Sequence, residues 1–178
     1  MNIEGYDIIL RAITSTDVEM LMQLINDSET ERMLGGSSFP VSVEEQEKWI
    51  AAQIGRTDVL RCIIAKKEKL IDGLGTVVLS DIDQKNGIAQ VHIKLDKNKG
   101  RGRGIGTDAL KTIVKYAFEE MRLNCVYAEV LEYNQLSQKL FEKVGFKKEG
   151  VMRSRVFKSG KYFNIISYSI LKRDVNYD

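Results

Sequence analysis

The chain of 178 residues is 43% hydrophobic and 29% charged, the balance of one folded domain rather than a disordered segment. Its 27 Lys and Arg against 25 Asp and Glu leave a net charge of +2, which excludes a polycation, so affinity for phosphate would have to come from local clustering. The start, MNIEGYDIILRA, has no basic segment followed by a long apolar run, and no stretch approaches the roughly 20 apolar residues of a membrane helix; neither a signal peptide nor a spanning helix is expected.

In chain order, residues 8–13 predict a first strand. Thr16-x-x-Glu19 has the spacing of a capping box, ahead of a helix whose apolar positions Val18, Leu21, Met22 and Ile25 share one face. Residues 35–40, GGSSFP, read as a loop, and Ser42-x-x-Glu45 opens a second helix carrying Trp49, Ile50 and Ile54. Strands follow at 60–65 and 74–79, and Asn86-Gly87 signals a hairpin into a strand over 88–95. That strand alternates strictly, with Val91, Ile93 and Leu95 on one face and Gln90, His92 and Lys94 on the other. After a glycine-rich stretch, Ala109, Leu110, Ile113, Val114, Ala117, Phe118 and Met121 draw a helical apolar stripe. A strand over 126–131, a helix over 136–144 stopped by Gly145, and two closing strands around Lys158-Ser159-Gly160-Lys161 complete one mixed α/β domain covering 1–178. Cys62 and Cys125 sit in strand-like runs and read as free, buried thiols of a cytoplasmic protein, and the lone histidine gives no zinc set.

The stretch KNKGRGRGIGTD, residues 97–108, alternates glycine with basic side chains between a strand and a helix. N–H groups at a helix start have no intrahelical partner, and the dipole there favours anions. Glycine removes the side chain that would hold a phosphate away from them, so the predicted geometry is a phosphate cradle. Neither nucleotide motif fits: no lysine stands at the P-loop spacing, and G-x-G-x-G-x-G is not the dinucleotide fingerprint. A solvated basic loop and a nucleic-acid contact stay open at this point, although no aromatic residues interleave with the cations to stack bases.

Arg101-Gly102-Arg103-Gly104-Ile105-Gly106 fits the [RQ]-x-x-G-x-[GA] motif, and here the chain resembles the GNAT superfamily of acetyl-CoA-dependent N-acetyltransferases. RGRGIGTDALKTIVKYAFEEM resembles that family's loop-and-helix block, and Asn134-Gln135-Leu136-Ser137 with FEKVGFKKEG resembles the block after the next strand. The start IILRAITSTDVEMLMQLIND and the close FKSGKYFNIISYSILKRD are similar to the branch of ribosomal-protein N-terminal and spermidine acetyltransferases. The resemblance implies an α+β fold: a mostly antiparallel twisted sheet flanked by helices, with two central parallel strands splayed to admit coenzyme A. It implies acetyl transfer from acetyl-CoA, as cosubstrate and without a metal, to a primary amine such as a protein N-terminus, aminosugar, amino acid or polyamine.

By the same resemblance, Ile93, Lys94 and Leu95 offer backbone hydrogen bonds to the pantetheine chain, and Arg101, Gly102, Arg103, Gly104, Ile105, Gly106 and Thr107 hold its phosphates. Asn134 binds the pantetheine arm. Many relatives carry an acidic tyrosine where this chain has Phe141, so Ser137 becomes the hydrogen-bond donor to the departing thiolate, unless it merely caps its helix. Branch members often place a glutamate where this chain has Gln90, which leaves His92, on the same strand face, as base, or a water chain oriented by either. The rival reading is an acetyl-CoA-binding regulatory module without catalysis. Neither a membrane nor a nucleic-acid partner is expected, and a homodimer is left open.

Overall fold

Among the described residues of the computed structural model, 1–35 and 39–175, eight strands form one sheet in the order β1-β2-β3-β4-β5-β6-β8-β7. The strands are Ile3–Glu4 (β1), Ile8–Arg11 (β2), Leu60–Lys66 (β3), Lys69–Asp83 (β4), Ile88–Leu95 (β5), Cys125–Leu131 (β6), Lys147–Lys158 (β7) and Lys161–Leu171 (β8). Every neighbouring pair is antiparallel except β5 and β6, which a helix joins. The helices are Val18–Asn26 (α1), Ser28–Arg32 (α2), Val43–Ala51 (α3), Ile105–Glu119 (α4) and Gln135–Val144 (α5). This is the expected mostly antiparallel sheet flanked by helices. Of the predicted GGSSFP loop, residues 36–38 lie outside the described residues.

The apolar stripe of α4 makes the core. Ala109, Leu110, Ile113, Ala117 and Phe118 are fully buried against Val77 and Leu79 of β4 and Ala89 and Val91 of β5. Because β5 alternates, burying Ala89 and Val91 on that face turns Gln90, His92 and Lys94 to the opposite one, toward α1 and α3. Cys62 is sealed in the core, where burial pushes its thiol up to about 12; Cys125 is half-buried, and both are free. Among the described residues no helix is long and apolar enough to cross a membrane.

Three local readings are corrected. The capping box ahead of α1 is built from Thr14 and Asp17, not Thr16 and Glu19: the Thr14 N–H donates to Asp17 Oδ2 at 2.8 Å, and a short 3₁₀ turn, Ser15–Asp17, precedes the helix. Arg11 draws Asp17 into a buried ion pair, Nη2 to Oδ1 at 2.7 Å, and that fixes the register. α2 was not anticipated; Asp27 caps it through the Thr30 N–H and hydroxyl. Ile54 lies beyond the end of α3 and is exposed. The Ser42–Glu45 capping box forms as expected.

Candidate active site

The parallel pair β5–β6 is joined over only three positions, Ile88 with Cys125, Ala89 with Val126 and Gln90 with Tyr127. Beyond them β5 runs on to Leu95 and β6 to Leu131 without pairing to each other, while their outer edges stay paired to β4 and β8. The two strands therefore diverge, and the inner edges left free carry backbone donors and acceptors with no strand partner. Such an edge can receive an extended chain as an extra strand.

The basic loop sits where β5 ends. Asp96, buried, accepts at Oδ1 from the N–H groups of Asn98 and Lys99 at 2.7 and 2.9 Å, and the Gly100 N–H donates to its carbonyl at 2.8 Å. After Gly100, the next amide in this stretch with an internal acceptor outside regular helix pairing is that of Asp108, which donates to the Gly104 carbonyl at 3.0 Å. The amides between them stand at the start of α4, a four-turn helix whose dipole favours an anion there. Gly102 and Gly104 have φ of 77° and 76°, the left-handed region, and no atom lies within 4 Å of where a Cβ would stand. Space and amides without an internal acceptor together fit a phosphate-bearing ligand, and the sheet gap beside them fits its extended arm.

The loop's cations divide. Lys97 donates to Asp27 Oδ1 at 2.7 Å, which contributes most to pulling that carboxyl down to about 2, and Arg101 donates to Glu29 Oε1 at 3.1 Å. Arg103 is exposed and has no side-chain partner among the described residues, so its guanidinium is available to an anion. The basic loop is thus fastened to α2 and its cap Asp27 through three ion pairs, Lys97 with Asp27 and Glu29, and Arg101 with Glu29.

The divergence opens a cleft of about 1080 Å³ between the sheet, α1, α3, α5 and β7. Asn134 is buried and caps α5: its Oδ1 accepts from the Ser137 N–H at 3.1 Å, and its Nδ2 donates to the Met33 carbonyl at 3.0 Å. The cap of α5 is therefore Asn134 and not Ser137. The Ser137 hydroxyl has no partner among the described residues and lines the cleft beside Phe141, whose ring packs on Phe146 at 5.0 Å. Asn134 has its cap and the Met33 carbonyl engaged, which leaves one N–H and one lone pair for a ligand.

On the cleft floor, Ser80 Oγ lies 2.9 Å from His92 Nε2 and 2.9 Å from Asp81 Oδ2. A carboxylate only accepts, so the Ser80 hydroxyl donates to Asp81 and accepts from Nε2–H. That assigns the proton of neutral His92 to Nε2 and the lone pair to Nδ1. The ring opens to the cleft, yet the surrounding walls withdraw water and lower its pKa below the ordinary 6.5; Asp81 opposes this, and Lys94 and Arg61 add to it. Gln90, half-buried, lies one step back toward the paired end.

Sequence reading did not single out Glu129, Arg61 or Trp49, which also line the cleft. Had the ladder continued one step of alternation past Gln90 and Tyr127, Glu129 of β6 would face His92 across the gap. Arg61 of β3 stands in one cross-strand row with Val78 and His92, and its guanidinium lies 5.5 Å from the centroid of the Trp49 ring. Among the described residues no cluster of His, Cys, Asp or Glu is arranged to hold a metal ion.

Comparison with known proteins follows this geometry. Residues 7–147 match the acetyltransferase (GNAT) domain family. The chain is 28% identical over 170 residues to the SPbeta prophage-derived uncharacterized N-acetyltransferase YokL of Bacillus subtilis, spanning 96% of this chain and 93% of that one. Its fold matches the spermidine N-acetyltransferase of Vibrio cholerae crystallised with CoA and spermine, at a TM-score of 0.86 and 22% identity over 94% of this chain and 97% of that one. It also matches the ribosomal-protein alpha-N-acetyltransferase RimL in complex with coenzyme A, at a TM-score of 0.84 and 22% identity over 96% and 98% of the two chains.

Proposed function

The chain belongs to the GNAT family of acetyltransferases, and from that premise we propose that residues 1–178 act as one catalytic domain that transfers acetyl from acetyl-CoA directly to a primary amine in a ternary complex. Acetyl-CoA would supply the activated thioester and a phosphate-bearing handle. The amides of residues 101–107 would hold the pyrophosphate, with Arg103 as a further charged contact. The free edge formed by Ile93, Lys94 and Leu95 would pair with the pantetheine arm, and the spare N–H of Asn134 would reach its other side.

In the reaction a nitrogen–carbon bond forms and the carbon–sulfur bond breaks. The amine must shed a proton, and His92 Nδ1 is the group proposed to take it, directly or through one water; Glu129, across the gap, is the second candidate. The Ser137 hydroxyl would donate to the departing sulfur, a place that Phe141 cannot fill for want of a proton. Positioning the amine against the thioester supplies the rest.

The observation that carries this reading is the parting of β5 and β6 after three paired residues, beside a loop of unpaired amides. Two measurements test it. Calorimetric titration should show CoA binding that 3′,5′-ADP competes for, and an amine panel incubated with acetyl-CoA should release free thiol. Binding without thiol release on any amine would favour the regulatory module, and absence of CoA binding would overturn both.

A further inference from the structure

The cleft's own charges point to the chemistry of the acceptor. Its charged lining comprises Arg61, Lys94 and Arg155 against Glu45 and Glu129, with His92 between them. Glu45 is already committed, since its Oε2 accepts from the Ser42 N–H at 2.8 Å in the α3 capping box. Glu31, which faces Lys94, is held at 2.8 Å by the buried ammonium of Lys158. Among the described residues none of the three cations has a carboxylate within ion-pair distance, although Arg61 donates one Nη1 hydrogen bond to Gln53 at 3.1 Å. Lys94 is half-buried, and burial pushes its ammonium below the ordinary range. Among the described residues, three cations without an ion-pair partner and one carboxylate without a hydrogen-bond partner, Glu129, therefore line the same cleft.

A partly desolvated cation with no counter-ion is unfavourable unless something outside the chain completes it. Arg61 has its guanidinium over the Trp49 ring, 5.5 Å from the centroid, a cation–π contact that helps hold the planar fork in place for bidentate recognition of an oxyanion. A polycation would meet three cations against the carboxylates of Glu45 and Glu129, and Glu45 is already turned to its helix cap.

We propose that the acceptor is an amine that carries its own oxyanion, a carboxylate or phosphate, bound by Arg61 and Lys94, rather than a polyamine. This rests on the acetyltransferase reading and deepens it. The same cations favour the reaction, because like-charge repulsion lowers the pKa of a bound ammonium and so raises its neutral, nucleophilic fraction.

The experiment measures kcat/KM by thiol release for matched acceptors: a panel of L-amino acids against their carboxamides, phosphoethanolamine against ethanolamine, and spermidine. A carboxamide carries the less basic and intrinsically more available amine, so a preference for the carboxylate reports recognition. The best oxyanion acceptor should exceed its neutral partner by at least about tenfold, and Arg61→Gln should bring that ratio near unity while the KM for acetyl-CoA stays within about twofold; tenfold corresponds to about 1.4 kcal/mol. The carboxylate and phosphate arms identify the oxyanion. A neutral amine or spermidine preferred by the native enzyme, or a ratio untouched in both Arg61→Gln and Lys94→Gln, overturns the proposal and leaves the acetyltransferase reading standing. If CoA binds but no amine turns over, that reading fails separately. N-acetylated amino acids and their carboxamides, titrated into the CoA-loaded protein, then decide, and equal affinities overturn the proposal.

Discussion

Gly104→Val separates what the loop does for a ligand from what it does for the fold. The residue has φ of 76° and caps α4 with nothing within 4 Å of the space a Cβ would take. The substitution therefore meets no protein atom, and its cost in the free protein is the left-handed backbone alone, about 1–2 kcal/mol. For a chain of this length that lowers Tm by about 2–4 °C per kcal/mol. Gly160, in the turn between β7 and β8, has φ of 80° and equally open space, so Gly160→Val carries the same strain away from the cleft. Bound CoA should distinguish them. Losing one charge-assisted bond between an amide and a phosphate costs about 1.5–3 kcal/mol, which weakens binding about 10- to 150-fold. Calorimetric titration should show that loss in Gly104→Val, with Gly160→Val within twofold of native and both thermal midpoints lowered alike. If the two variants bind CoA equally well, the loop does not hold the phosphates.

Ser137→Ala should lower kcat by up to about tenfold with the KM for acetyl-CoA unchanged, since it deletes one hydrogen bond made as the sulfur departs; an unchanged kcat would remove the hydroxyl from the reaction. With its pKa lowered chiefly by burial, His92 is mostly neutral above 6.5, so the ionisation it contributes to the activity profile should lie below that value. His92→Gln should abolish that step and cost about 10²-fold or more. A profile shared by wild type and mutant would transfer the base to Glu129 or water, which Glu129→Gln then separates. Arg11→Gln should destabilise the fold by about 3 kcal/mol in urea unfolding, because Asp17 is left 2% exposed without its counter-ion. The Asp17 carboxyl is held below its ordinary 3.8 against the opposing effect of burial, by hydrogen bonds and charge from Arg11 with help from Thr14. The native stability it supplies is full above 3.8 and lost as pH falls through the lower folded value, and acid titrations of wild type and Arg11→Gln that superimpose would refute this.

Strand β5 was legible to the residue because period-two alternation and the Asn86-Gly87 turn are local signals. Its divergence from β6 was not legible from periodicity, since both strands keep their alternation after they part; only the family resemblance implied it. The cap before α1 was misread because Arg11, from the neighbouring strand, outcompetes the local Thr16–Glu19 spacing for control of the turn. α2 escaped because five residues are too few to show a helical period. The cleft's cations were hidden for a related reason. Arg61, Lys94 and Arg155 come from three strands and converge only when the sheet forms, whereas the cationic loop advertised itself in twelve consecutive residues.

The fastening of the phosphate loop to α2 sets a sequence of events. Were Arg101 to turn its Nη1 to a phosphate it would let go of Glu29, and α2 connects α1, whose Leu21, Leu24 and Ile25 line the cleft, to Met33 and Leu34 on the same wall. On the proposed reaction, a coenzyme that drew Arg101 from Glu29 would thus act on the cleft through a latch that opens from the loop side, and the amine should enter second. Product inhibition would register that order: CoA competing with acetyl-CoA but not with the amine, and Glu29→Gln, which frees Arg101 and leaves only the Lys97–Asp27 pair, relaxing the order toward random addition.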